Sequence, residues 1–273
     1  RIDIFDFMTG TYDDYNNLLS KTQPDYVGIS LRNIDDVNIY RKESFISHYK
    51  QIVAGTREFA KSVIIIGGSG FSIYPRLLFE TLQPDFGIHG EGEVSLSKLI
   101  NAIDSGLDYS SIEGLIFRKQ DQIVYNERTN FFNSPVLHFD TTLLDYYWQS
   151  SGMLNIQTKR GCPYHCIYCT YPLIEGSKVR TLDPGQIVKT LTELRFKNNI
   201  SYVFFTDSVF NISNNFNIEL AERLIAADLN IQWGGYFNFA NIDLRLLEKL
   251  RQAGLRHIEF GTESLSETML INY

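Results

Sequence analysis

Short apolar runs and helical segments take turns along this chain, and that alternation narrows the fold more than any other feature of it. In the first part "IDIFDF" (2–7), "DYVGIS" (25–30), "SVIIIGG" (62–68) and "DFGIHG" (85–90) read as strands. Between and after them "YDDYNNLLSK", "SFISHYKQIVAGTREFAK", "PRLLFETL" and "EVSLSKLINAID" carry apolar residues at helical spacing. Strand and helix in strict turn imply a parallel sheet covered on both faces, and the Val, Ile, Phe and Tyr content of the runs suits buried strands. The expected fold of this part is a doubly wound, flavodoxin-like α/β domain.

The rhythm breaks near Ser110. "IEGLIFRKQDQIVYNER" reads as two short strands around the turn "KQDQ", a hairpin. From Thr129 to Gln149 no period emerges, and Pro135, Asp140 and several aromatic residues suggest an ordered connector. Alternation then resumes. "MLNIQTKR", "SYVFFTD", "NIQWGGYF" and "RHIEFGTES" read as strands, each followed by a helix or helix start. Asp183 and Pro184 mark one helix start as N-cap and first helical residue, and Gly254 closes the helix of "DLRLLEKLRQAG". Four strand–helix units are fewer than a closed (β/α) barrel needs, so a partial, truncated barrel is expected. The predicted domains are residues 1–108, a hairpin and connector over 109–152, and a barrel part over 153–273. Because Arg1 runs straight into a strand and Tyr273 falls inside the fourth unit, the chain reads as part of a longer one.

The formal charge of −7, with 25 Lys and Arg against 32 Asp and Glu and no basic stripe, argues against non-specific nucleic-acid binding. No apolar run is long enough to span a membrane and no signal peptide is visible, so a cytoplasmic location is expected. All three cysteines, Cys162, Cys166 and Cys169, sit in "KRGCPYHCIYCTYP" (159–172), too few and too close for a disulfide framework. Gly161 and Pro163 favour a compact turn there. Thiolates at this spacing can converge on one metal centre. A zinc site closed by protein would need a fourth ligand, which His165 could supply, giving a zinc-stabilised binding module. Alternatively, three thiolates hold three irons of a [4Fe–4S] cluster and leave the fourth iron open to a ligand. The loop follows the first strand of the second block, at the carboxyl end where strand–helix folds place their sites.

The C-x₃-C-x₂-C pattern, with Tyr168 before the last cysteine and "TKRG" before the first, resembles the signature of the radical S-adenosylmethionine (radical SAM) superfamily, over roughly residues 153–273. In that family the open iron binds the amino and carboxylate groups of S-adenosylmethionine (SAM), and an electron from the cluster cleaves the sulfonium to a 5′-deoxyadenosyl radical. The resemblance implies that Tyr168 borders the adenine; a plain core aromatic is the other reading. Thr206, Asp207 and Ser208 end the second strand, where the family contacts the methionine group. The usual Gly-Gly-Glu is absent there, and Asp207 is carried over in its place. Asn238 ends the third strand, where related sequences often place an arginine. Glu263 in "FGTES" falls where the family hydrogen-bonds the SAM ribose or methionyl end, or else it serves the helix N-terminus.

In the first block the strand ends read Ser30, then Gly67-Gly68-Ser69-Gly70, then Gly90-Glu91-Gly92-Glu93. Ligands of such sheets bind at the carboxyl ends of the strands, and glycines let a ligand lie against backbone. No Lys-Ser/Thr follows the glycines and the dinucleotide fingerprint fails. The order resembles the cobalamin-binding domain joined to many radical SAM enzymes, which implies that Ser30, Gly67, Gly68, Ser69, Gly90 and Glu91 line a cobalamin pocket. The lower-ligand motif Asp-x-His-x-x-Gly is not visible, and neither His48 nor His89 fits it. An empty pocket is the bland alternative.

Together the two resemblances imply a cobalamin-dependent radical SAM enzyme with a [4Fe–4S] cluster, SAM and cobalamin as cofactors. The expected reaction is methyl transfer to an unactivated carbon of a small-molecule or peptide substrate, with flavodoxin or ferredoxin as electron donor. Radical oxidation, cyclisation or rearrangement with the same cofactors is the alternative. Methylthiolation of transfer RNA shares the cysteine motif but fits poorly with the acidic charge and the lack of cysteines for a second cluster.

Overall fold

A computed structural model describes residues 1–132 and 139–271, and it resolves into two compact units. The first comprises Arg1–Phe132 with Leu173–Glu175, the second Asn133–Pro172 with Gly176–Tyr273. Pro135 lies outside the described residues.

The first unit runs α1 (Tyr12–Thr22), β1 (Tyr26–Ser30), α2 (Ile46–Phe59), β2 (Val63–Gly67), α3 (Ser69–Ile73), α4 (Pro75–Leu82), β3 (Phe86–Ile88), α5 (Glu93–Asp104), β4 (Leu115–Lys119) and β5 (Gln122–Tyr125). The sheet order is β1-β2-β3-β4-β5, with the first three strands parallel and the last two antiparallel. Alternation along β2 serves both faces. Ile64 and Ile66 join Leu19 of α1, Ile52 of α2 and Phe79 of α4, while Ile65 joins Leu99 of α5 on the other side. The hairpin therefore extends the first sheet and is not part of a connector. Its turn is made by Gln120 and Asp121, both in the left-handed region, as a tight two-residue hairpin turn requires.

The expected strand over 2–7 does not form. Ile2 and Ile4 are exposed and no ladder partner stands beside them. Phe5 and Phe7 instead pack their rings on Tyr15, at 5.3 Å in both cases, and Phe7 packs on His48 at 4.9 Å. Ring burial here outweighs the period-two pattern.

Beyond β5 the chain runs α6 (Thr141–Ser151), β6 (Leu154–Ile156), β7 (Lys159–Arg160), α7 (Tyr171–Glu175), β8 (Arg180–Thr181), α8 (Pro184–Asn198), β9 (Tyr202–Phe205), α9 (Asn214–Ala227), β10 (Gln232–Phe237), α10 (Leu244–Gln252), β11 (Leu255–Phe260) and α11 (Glu267–Leu270), all in the second unit except the last three residues of α7. Strands β11-β10-β9-β6 form a parallel sheet, and β7 and β8 pair as a separate antiparallel ribbon. One sheet face is apolar: Ile156, Val203, Phe205, Trp233 and Phe237 bury against Ile187 and Leu191 of α8, Leu220 and Leu224 of α9, and Leu246 and Leu250 of α10. The helix α6 was hidden in the sequence because Tyr146, Tyr147 and Trp148 blur its period. Asp183 caps α8 as expected, accepting from the Gln186 N–H at 2.8 Å.

Gly254 ends α10 at φ +105°, and a Cβ there would stand 2.3 Å from the Ile231 carbonyl and 3.2 Å from the Trp233 ring. Gly254→Ala should destabilise the second unit by about 2–4 kcal/mol, through left-handed strain plus a backbone collision. The Trp233 indole donates to the Ala253 carbonyl at 2.9 Å, so tryptophan emission during urea unfolding reports the change. A wild-type midpoint would show that the turn relaxes freely.

Candidate functional site

The chain leaves β6 and enters the cysteine loop through the β7–β8 ribbon, whose pairs are Lys159 with Thr181 and Arg160 with Arg180. The ribbon closes the loop at its base. Gly161, at φ +84°, lies so close beneath Lys178 that a Cβ would come within 2.2 Å of its carbonyl oxygen. The Cys162 N–H donates to the Gly176 carbonyl at 3.1 Å, and the Cys169 N–H to the Cys166 carbonyl at 3.0 Å, making the turn that the flanking Gly and Pro foretold. Cys162 is buried, and Cys166 and Cys169 are half-buried. Burial pushes the Cys162 thiol up, as does the negative charge of Cys169 and Cys166, against hydrogen bonds from the Tyr164 backbone and the Ser208 side chain. The three thiols thus share one neighbourhood. Among the described residues no three His, Cys, Asp or Glu side chains gather into the shell of a single ion. His165 is exposed. Three thiols in one neighbourhood could hold three irons of an iron–sulfur cluster and leave the fourth iron open.

Asp207 follows β9 and turns inward. Its side chain is 1% exposed, and that of Lys159 is 2% exposed. Oδ1 accepts the Thr158 N–H at 2.6 Å and the Lys159 N–H at 2.9 Å. Oδ2 accepts the Thr158 hydroxyl at 2.5 Å and the Lys159 ammonium at 3.0 Å. Four donors fill the capacity of a carboxylate, which leaves no site for a SAM amino group. The oxygens of Asp207, expected to contact SAM, are in this structure spent on the segment leading into the cysteine loop. The Lys159 ammonium also donates to the Thr158 hydroxyl oxygen at 3.1 Å and to Asn217 Oδ1 at 3.2 Å, which accounts for its three protons. The rings of Phe210 and Phe216 lie 4.1 and 4.5 Å from it. Burial pulls the Lys159 ammonium down, and Asp207 opposes that.

Tyr168 and Glu263 do come together. Tyr168 is half-exposed, and its hydroxyl is pushed above the ordinary tyrosine range by desolvation, then by its hydrogen bond with Glu263 and the charge of Cys166. Glu263 is exposed and sits at φ +54°, left-handed backbone that a non-glycine residue seldom adopts. Asn238 is used locally. Its Oδ1 caps the turn beyond β10 by accepting the Ala240 N–H at 2.8 Å. The buried Asn211 grips the same turn, accepting the Asn238 N–H at 2.8 Å and donating to the carbonyls of Asn238 and Asn241 at 2.8 and 3.1 Å. Asn241 in turn donates to the Tyr164 hydroxyl at 2.7 Å, tying the cysteine loop to the turn beyond β10. An open recess of about 510 Å³ lies here, lined among others by Asn211, Asn214, Asn215, Asn241 and Asp243. Thr158 and Lys159 stood in the "TKRG" stretch but with no sign of their partner, and Tyr164 and Asn211 had no sequence signal, since each acts through a partner more than twenty residues away.

In the first unit Ser30 and Gly67 are register partners at adjacent strand ends, and Ser30 is exposed. Gly68, at φ +101°, packs on its neighbour: a Cβ would stand 2.6 Å from the Leu31 carbonyl. Its glycine answers first to that contact. The Ser69 hydroxyl donates to the Arg32 carbonyl at 3.2 Å. Gly90 lies under Arg128, whose guanidinium donates to the His89 carbonyl at 3.0 Å and to the Ser95 hydroxyl at 2.9 Å. Glu91 is buried and accepts the Phe132 N–H at 2.7 Å, so this carboxylate holds the chain beyond β5. His89 is held low by burial and by Arg128, and His48 hydrogen-bonds the Tyr12 hydroxyl.

Residues 156–272 match the family model described as Radical SAM superfamily. An uncharacterized methyltransferase of Pyrococcus horikoshii is 23% identical over 267 residues, covering 95% of this chain and 56% of the relative. Anaerobic magnesium-protoporphyrin IX monomethyl ester cyclase of Rubrivivax gelatinosus is 25% identical over 275 residues, covering 94% and 47%. The chain thus spans about half the length of these curated relatives. A solved structure of TsrM from Kitasatospora setae, a radical SAM methyltransferase with cobalamin and a [4Fe–4S] cluster bound, superposes with a TM-score of 0.86 at 23% identity, covering 94% of this chain and 52% of that one. That likeness establishes the shared α/β fold. No helix among the described residues is long and apolar enough to cross a membrane.

Replacing Cys162, Cys166 or Cys169 by Ala should each abolish most of the visible absorption after anaerobic reconstitution with iron and sulfide. His165→Ala should leave it largely intact. Loss of metal in His165→Ala as complete as in the cysteine variants would favour a Cys₃His zinc site.

Proposed function

We propose that the radical SAM domain formed by residues 156–272 cleaves SAM reductively, within a cobalamin-dependent enzyme whose reaction is methyl transfer to carbon. The observation that carries this reading is the loop, closed at its base by the β7–β8 ribbon, that brings Cys162, Cys166 and Cys169 into one neighbourhood. Cys162, Cys166 and Cys169 would hold a [4Fe–4S] cluster, which when bound supplies the electron for sulfonium cleavage. Gly161 and the ribbon keep the thiols in register. Tyr168 and Glu263 offer a phenol and a carboxylate at the loop's edge, suited to the hydroxyls and ammonium of SAM. Asn238 and Asn241 shape the neighbouring turn.

In the first unit Ser30 lies exposed at the end of β1, and a Cβ at Gly92, beyond β3, would meet nothing within 4 Å, so these two positions leave room at the strand ends. Cobalamin bound there would supply a methyl carrier. Neither His48 nor His89 is placed to serve as its lower ligand, since the first pairs with Tyr12 and the second packs against Tyr125. The methyltransferase reading leans on the Pyrococcus relative and on TsrM. The likeness to the Rubrivivax cyclase favours radical cyclisation as the second reading. The substrate class is a small molecule or peptide, with flavodoxin or ferredoxin as reductant.

Glu263→Ala should weaken SAM binding and slow cleavage about tenfold or more, the equivalent of a charged hydrogen bond worth roughly 1–3 kcal/mol. The measurement is 5′-deoxyadenosine formation against SAM concentration, under anaerobic conditions in the full-length enzyme. Unchanged kinetics would leave Glu263 a purely local role. For the first unit, Ser30→Phe should block cobalamin uptake in a spectroscopic titration while the far-UV spectrum stays unchanged. No uptake by folded, full-length wild-type protein would sink the cobalamin half of the proposal.

A further inference from the structure

We infer that Lys159 and Asp207 are positioning residues for the cluster ligands: their buried pair sets the register in which the chain delivers Cys162. This rests on the reading of the cysteine loop as a cluster site. Asp207 takes the backbone N–H groups of Thr158 and Lys159, two consecutive residues, on one oxygen. That fixes the direction of the peptide three residues before Cys162. The second oxygen takes the Thr158 hydroxyl and the Lys159 ammonium, so backbone and side chain of the same segment are held by one carboxylate. The ammonium carries the constraint onward. It reaches Asn217 Oδ1 at 3.2 Å, and Asn217 donates to the Phe210 carbonyl at 3.0 Å. Segment 158–159, the end of β9 and the first turn of α9 are thereby one hydrogen-bonded body.

From this body the constraint passes directly to the cysteine. Lys159 and Arg160 form the ribbon strand, the Leu182 N–H closes on the Thr158 carbonyl at 2.9 Å, and Gly161 is wedged beneath Lys178. Little torsional freedom remains between Asp207 and Cys162. A buried pair is poor evidence for net stability, since well-packed apolar residues often serve as well. Here the pair's geometry points to a placement role, because two of the four bonds to the carboxylate come from backbone N–H groups that no apolar residue could hold.

The test uses the full-length protein, reconstituted anaerobically with iron and sulfide, and four variants: Asp207→Asn, Lys159→Arg, Lys159→Met and the double variant Lys159→Met with Asp207→Leu. Three readouts are taken: the rate of iron loss to a chelator, the electron paramagnetic resonance spectrum of the reduced protein without SAM, and the thermal unfolding curve. The double variant removes both charges but also the acceptor of the Thr158 and Lys159 N–H groups, so it should unfold below the wild-type temperature. Measured well below its own unfolding temperature, it should lose iron about ten- to a hundredfold faster than wild type and show a broadened spectrum, the scale at which residues behind metal ligands act. Asp207→Asn, which keeps one carbonyl acceptor, and Lys159→Arg should fall between it and wild type. Iron loss and spectrum equal to wild type in the double variant would overturn the inference. So would iron loss that merely tracks a lowered unfolding temperature across the series, which would assign the pair to general stability. Failure of wild-type protein to take up iron would overturn the cluster reading itself, and the inference with it.

Discussion

Much of the second unit is organised around a single carboxylate. Asp207 is almost wholly removed from water, and burying a charge is costly unless partners replace the lost hydration. Four donors do so, and all come from two consecutive residues. The Lys159 ammonium faces the same demand and meets it with three acceptors and two aromatic faces. Neither charge could be buried without the other. The apolar surroundings that make the pair costly, Phe205, Phe210 and Phe216 among them, are the same core that holds β9 against its helices.

The sheet of the second unit divides its labour by face. Val203, Phe205, Trp233 and Phe237 bury toward α8, α9 and α10, while on the alternate face Phe204 meets Tyr236 at 5.0 Å and Tyr202 reaches His257 at 3.5 Å. The turns beyond the strands then carry the polar work. Asn211 and Asn238 brace one another, and Asn241 extends that brace to Tyr164 in the cysteine loop. Rigid strands with short, mutually bonded turns are a sound basis for a site that must hold its ligands in place.

Local pattern made most of this fold legible. The parallel strands, the major helices and the Asp183 cap follow from periodicity and capping chemistry, and the cysteine spacing singled out the loop that the β7–β8 ribbon closes. What escaped was long-range. The segment 2–7 alternates like a strand, yet its phenylalanines found rings to pack on and no strand to pair with. The β7–β8 ribbon is two residues long in each strand, too short to leave a period. The partners of Asp207 in the structure, Thr158 and Lys159, were not legible, because position along a strand says nothing of which way a carboxylate turns. The close approach of Gly68 to the Leu31 backbone was likewise not legible, since it joins the ends of two neighbouring strands.

The ribbon at the base of the cysteine loop separates where the thiols stand from how long the loop is. Everything between Cys169 and the Gly176 carbonyl hangs from a neck already closed by the ribbon, by Gly161 and by the Cys162 N–H. Closing a flexible loop costs only about 0.6 kcal/mol more for each doubling of its length. A change of length between Cys169 and Tyr171 would therefore cost little closure entropy and leave the first cysteine where it is. Such an arrangement separates the placing of one thiol from the run of the chain beyond it, a modularity that comes from two pairs of residues in a miniature sheet.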